Sequence, residues 1–196
     1  MYHRHLVVIS KAKSGFRILS ENGFRQLFQK MYEYLVWTVK DSYTLTIDNT
    51  KAAFSAPSYS AVKANKWRYT AESIEIREIL TTIQDDEIFY DIGANTGLYS
   101  LFIAQQCDEV VAFEPYPPNI DILKKDVQRN NLSNVSIVDI ALSDSEGEIQ
   151  FQKPEKKQYG YGSASIIPEG ASDMITVPTV SGDRLYEKVK YLPPIL

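Results

Sequence analysis

The chain has 196 residues, 44% hydrophobic and 23% charged, the make-up of an ordinary soluble globular domain with room for a real core. Its net charge of −4 lacks the basic excess of a general nucleic-acid binder, so no nucleic-acid partner is expected. One cysteine, Cys107, allows no intrachain disulfide and fits a reducing, cytoplasmic compartment, and with two histidines it leaves too few ligands for a structural zinc site.

No apolar run is long enough to span a bilayer. The opening MYHRHLVVIS is followed by Lys11 and Lys13 where a signal peptide would carry small residues, so it is not read as one. From Phe24 to Val39, Leu27, Phe28, Met31, Leu35 and Val39 recur at helical spacing, with Ser20 or Asn22 as a cap. Basic residues from His3 to Arg25 precede or open this helix. They read as a solvated face, with peripheral contact to an anionic membrane surface as the sharper alternative. YTLTI and KAAFSA around Asp48-Asn49 predict a hairpin. A second helix carries Ile74, Ile79 and Leu80 and ends at Asp85-Asp86.

The chain divides near Gln84, giving an N-terminal helical and hairpin extension over 1–84 and a second domain over 85–196. The second part alternates regularly. EIFYDIG is a strand, LYSLFIAQQC a helix, EVVAFEP a strand, NIDILKKDVQRNN a helix, and NVSIVDIAL a strand. Short links between them predict a parallel, doubly wound α/β sheet. EIQF and MITVPTV are further strand candidates around a loop rich in Gly, Ser and Lys, in which Tyr159 and Tyr161 flank glycines. The ending YLPPIL reads as the entry to another strand, so the natural protein is expected to continue.

The run DIGANTG, Asp91 to Gly97, leaves a strand and opens a helix, and the next strand ends at Glu114. Ligands of parallel sheets bind at the carboxyl ends of the strands, where these pieces converge. Gly93 permits a sharp turn, Gly97 close packing, and Asn95 tolerates a left-handed backbone. Glu114 can accept both hydroxyls of a ribose. Two ligands compete. A dinucleotide asks for G-x-G-x-x-G, but the third glycine position falls at Leu98. S-adenosylmethionine (SAM) has no phosphate, and Asp91 suits its cationic amino-acid end.

FYDIGANTGLYSLFIA, the FEP step and the NV…ALSD run together resemble the FkbM family of SAM-dependent methyltransferases, over roughly Glu87 to Leu185. GSAS and VPTVSGDRL look like later family segments, although Ser181-Gly182 stand before Asp183 where the family carries a leucine-aspartate pair. The resemblance implies a Rossmann-like class I methyltransferase fold, a three-layer sandwich with a mainly parallel sheet, incomplete at the C-terminus. It places Asp91, Gly93, Ala94, Asn95 and Gly97 around the methionine moiety, Glu114 and Pro115 at the ribose, and Ala141 and Leu142 beside the adenine. It implies O-methylation of a sugar hydroxyl on a glycan or of a small-molecule scaffold. No general base is assigned, because the family would place further acidic residues beyond Leu196. A non-catalytic module of the same fold and a nicotinamide-dependent oxidoreductase are the competing readings.

Overall fold

The computed structural model describes Phe28, Met31 and residues 41–57, 59–152 and 174–189. The chain separates into two compact units, Met1–Asp41 and Ser42–Leu196. In the first, Phe28 and Met31 are helical, within the helix expected over Phe24–Val39. The remainder of that helix, the basic segment, the loop with Tyr159, Tyr161 and GSAS, and the closing YLPPIL lie outside the described residues.

The second unit opens with the expected hairpin. Strands β1 (Ser42–Ile47) and β2 (Thr50–Ser55) pair antiparallel. Asp48 makes the turn at φ 49°, a conformation Asp tolerates better than most residues. Helix α1 (Tyr59–Thr82) comes next. Leu45, Ile47, Ala52 and Phe54 of the hairpin and Ile76 of α1 form one buried cluster with Leu98, Leu101 and Phe102. Those last three belong to helix α2 (Leu98–Ile103). Residues 42–82 therefore share a core with a helix that lies beyond Gln84.

The alternating segment then runs β3 (Ile88–Ile92), α2, β4 (Glu109–Phe113), α3 (Pro117–Arg129) and β5 (Val135–Val138). The strands pair in parallel in the order β3-β4-β5, the expected Rossmann-like βαβαβ unit. Ile103 of α2 and Leu123 of α3 share a second cluster with Val110 and Ala112, so both helices cover one face of the sheet. On the other face Ile88, Tyr90 and Ile92 of β3 are exposed, and the third layer of the expected sandwich is not among the described residues.

NVSIVDIAL, expected as one strand, breaks in two. β5 stops at Val138, and Ala141–Ser143 forms β6 in a separate sheet ordered β6-β8-β7 with β7 (Gly147–Gln152) and β8 (Met174–Ser181). The ladder ends for a physical reason. Glu114 N donates to Val138 O at 3.1 Å, Pro115 has no N–H, and Tyr116 N donates to the Glu114 carboxylate instead. The donor that would carry the ladder past Val138, Tyr116 N, is spent on a side chain. LYSLFIAQQC is also shorter than expected, since α2 ends at Ile103 and the chain turns through Gln105 and Gln106. Helix α4 (Gly182–Val189) closes the described residues, with Arg184 N donating to Ser181 Oγ as a cap.

The outer edge of β2 would present bare backbone groups. Side chains from the βαβαβ unit meet them. Asn130 Oδ1 accepts from Ala53 N and its Nδ2 donates to Ala53 O, both at 2.7 Å, so one amide imitates a neighbouring strand. Both oxygens of Asp126 accept from Ser55 N at 2.9 Å, and Gln105 Nε2 donates to Lys51 O. A strand edge satisfied this way cannot recruit another chain.

Candidate functional site

The DIGANTG turn stands at the carboxyl ends of β3 and β4. Gly93 has φ 77°, Asn95 φ 56° and Gly97 φ 84°, so three of five residues take left-handed conformations. Gly93 N and Ala94 N both donate to Phe113 O at 2.9 Å, which pins the turn to the end of β4. Gly97 N donates to Ala94 O at 2.8 Å and closes the turn. The two glycines serve different ends. A Cβ on Gly97 would stand 2.4 Å from Leu123 Cδ1, whereas a Cβ on Gly93 would meet nothing within 4 Å. Gly97 is there for the approach of α3, and Gly93 borders open space.

Asp91 is buried and points to the start of α2. Gly97 stands at the N-cap with no side chain to offer. Asp91 Oδ2 fills that role from β3, accepting from Ser100 N at 3.0 Å and Ser100 Oγ at 2.5 Å. Burial raises the Asp91 carboxyl above the ordinary range, and the two bonds from Ser100 draw it back.

Glu114 is buried at the tip of β4. Its Oε2 accepts from Asn95 N at 2.8 Å, and its Oε1 from Tyr116 N at 2.9 Å and Asn119 Nδ2 at 3.2 Å. One carboxylate thus ties the middle of the glycine turn to the first turn of α3. Burial raises its pKa, and the backbone bonds from Tyr116 and Asn95 oppose the shift.

The structure gathers Asp91, Gly93, Ala94, Asn95, Gly97, Glu114 and Pro115 around this turn. Ala141 and Leu142 belong to β6, paired with Thr179 and Val180 of β8. They are strand residues of the second sheet rather than a loop after the third strand of the first. Asp139 is exposed, and Asp144 accepts from Ser143 Oγ and Ser145 Oγ in a local turn. Cys107 is buried, donates to Glu109 O, and has its thiol pKa raised by burial. Asp183 is exposed in the first turn of α4.

Ser100 and Asn119 were not legible as site residues in the sequence. Each meets its carboxylate across a turn, and no short spacing announces the pair. The signal available was a polar residue three places into a helix beside a strand-end acid, Ser100 after Gly97 and Asn119 after Tyr116.

No family model matches the chain. It is 28% identical over 149 residues to the hexuronic acid methyltransferase AglP of Haloferax volcanii, covering 69% of this chain and 59% of that protein. It is 34% identical over 74 residues to a probable ribosomal RNA small subunit methyltransferase A of Methanosphaera stadtmanae, covering 38% of this chain and 26% of that one. Among solved structures, M. jannaschii TYW2 in complex with AdoMet aligns at a TM-score of 0.36 with 16% identity, over 54% of this chain and 48% of that one. The chain therefore spans less than two thirds of each of these proteins, and the two sequence relatives carry methyltransferase names.

Proposed function

We propose that the chain binds SAM at the DIGANTG turn and belongs to an O-methyltransferase of the FkbM type that acts on a sugar hydroxyl in the cytoplasm. The observation that carries the reading is the pair of buried carboxylates, Asp91 and Glu114, that bracket a glycine turn bordered by open space at Gly93. The donor set fits this cofactor. Two carboxylates disfavour a pyrophosphate and suit an ammonium group and a ribose diol. The likeness to a hexuronic acid methyltransferase supports a sugar acceptor.

SAM supplies an electrophilic methyl group on a sulfonium. The chain's own residues bind and orient. Asp91 receives the ammonium of the methionyl end while the Ser100 bonds fix its direction. Glu114 accepts from the ribose with the lone pair left on Oε2 beside those that hold Asn95, Tyr116 and Asn119. Gly93 keeps the approach clear of side-chain atoms, and Ala94, Asn95, Gly97 and Pro115 shape the backbone around it. An acceptor hydroxyl held in line with the sulfonium is the geometry that transfer demands. Titration calorimetry with SAM and with NAD separates the readings. SAM binding without NAD binding is expected; NAD binding without SAM binding contradicts the proposal.

A further inference from the structure

One face of α1 is turned to the glycine turn. Asn65 lines a small cleft with Tyr43, Thr96 and Asp126, which sets this part of α1 opposite Thr96 of the turn. Further along, Ile76 is fully buried against α2. Arg68 and Glu72 fall between them, at the three- and four-residue spacing that keeps side chains on one helical face. Arg68 Nε lies 3.4 Å from Glu72 Oε1. Its Nη1 is buried and has no hydrogen-bond partner, and one turn earlier Asn65 Oδ1 is in the same condition. Buried polar groups are almost always paired, and a charged donor is the costliest kind to leave unpaired. Two such atoms on one stripe of α1, with Asn65 set beside Thr96 of the turn, mark a surface completed by a ligand. The charge of Arg68 also reaches the turn. Asp91, raised chiefly by burial and lowered by Ser100, is lowered further by Arg68 and raised by its partner Glu72. With Glu72 beside Arg68, the space still holds a guanidinium and the Asp91 carboxylate, one group for each end of the zwitterion of an α-amino acid.

We propose that Arg68 is the positioning residue for the α-carboxylate of SAM, holding that end of the methionyl group while Asp91 holds its ammonium. This rests on the assignment of SAM to the DIGANTG turn. It gives α1, which precedes the alternating segment, a direct part in cofactor binding. A guanidinium suits the task because its planar fork can present two parallel N–H groups to one carboxylate.

Titration calorimetry on the full 196-residue chain tests it with two probes, S-adenosylhomocysteine and methylthioadenosine. The second keeps the nucleoside and the thioether but has no amino-acid end. Arg68→Met is expected to weaken S-adenosylhomocysteine by about tenfold or more and to leave methylthioadenosine within about twofold. An unchanged S-adenosylhomocysteine affinity overturns the assignment, as does an equal loss for both probes. If Arg68→Met melts early, Arg68→Lys serves in its place. It keeps the charge, so a smaller loss confined to S-adenosylhomocysteine is expected, and an equal loss for both probes again overturns it. A wild-type chain that binds neither probe removes the SAM assignment and the role of Arg68 together. A wild-type chain that binds both equally well leaves the SAM assignment standing and removes only the role of Arg68.

Discussion

At the scale of single residues, Glu114 accepts from three donors at once: Asn95 N, Tyr116 N and Asn119 Nδ2. Glu114→Ala removes that shared buried acceptor, so a loss of about 1–3 kcal/mol in denaturant-measured stability is expected. SAM affinity should fall alongside. The buried carboxyls also set a pH dependence. Asp91, Glu114 and Asp126 all have raised pKa values, with burial the leading cause in each. Between the unfolded pKa and the raised folded one, the folded state binds more protons. Stability from these groups is therefore present in full below the unfolded pKa and is lost as pH rises through the folded pKa. Denaturation curves through the window just above the ordinary carboxylate range should show that slope, and Asp126→Asn should flatten it. The acid at the end of β4 was legible in the sequence because Pro115 comes directly after it. Its partners were not, since Asn95 meets it only after the chain has crossed α2 and β4.

At the scale of elements, the regular alternation after Glu87 made β3, α2, β4, α3 and β5 readable. The failures have local causes. The break between β5 and β6 depends on Tyr116 N turning to a carboxylate, a tertiary event with no periodic signature. The support of β2 by Asn130 is equally hidden, because Asn130 and Ala53 lie 77 positions apart. Asn130→Ala should destabilise by about 1–3 kcal/mol by exposing both groups of Ala53 to an unpaired fate. The glycines give a graded test. Gly93→Ala forces a left-handed alanine, a strain of about 1–2 kcal/mol. Gly97→Ala adds a collision with Leu123 to the same strain and should melt at a lower temperature than Gly93→Ala. Equal melting would mean that α3 does not approach as closely as the geometry says.

At the scale of the whole molecule, the hairpin and α1 are bound into the fold through Leu98, Leu101 and Phe102. A polypeptide starting at residue 85 would expose all three, and its thermal unfolding should be broad rather than cooperative. The sequence pattern marked a change of rhythm near Gln84, but a change of rhythm is not a gap in packing. The meeting of the glycine turn with the strand-end acids was legible because glycines, acids and their spacing are local facts. The α1 face was not, because Asn65 comes beside Thr96 only through tertiary packing. The most direct measurement of the cradle is an amide chemical-shift titration with SAM. The expected result is that the largest shifts fall on the amides of Gly93–Gly97 and Tyr116. SAM binding that leaves those amides unmoved, with its shifts elsewhere in the chain, would contradict the assignment of DIGANTG as the methyl-donor site.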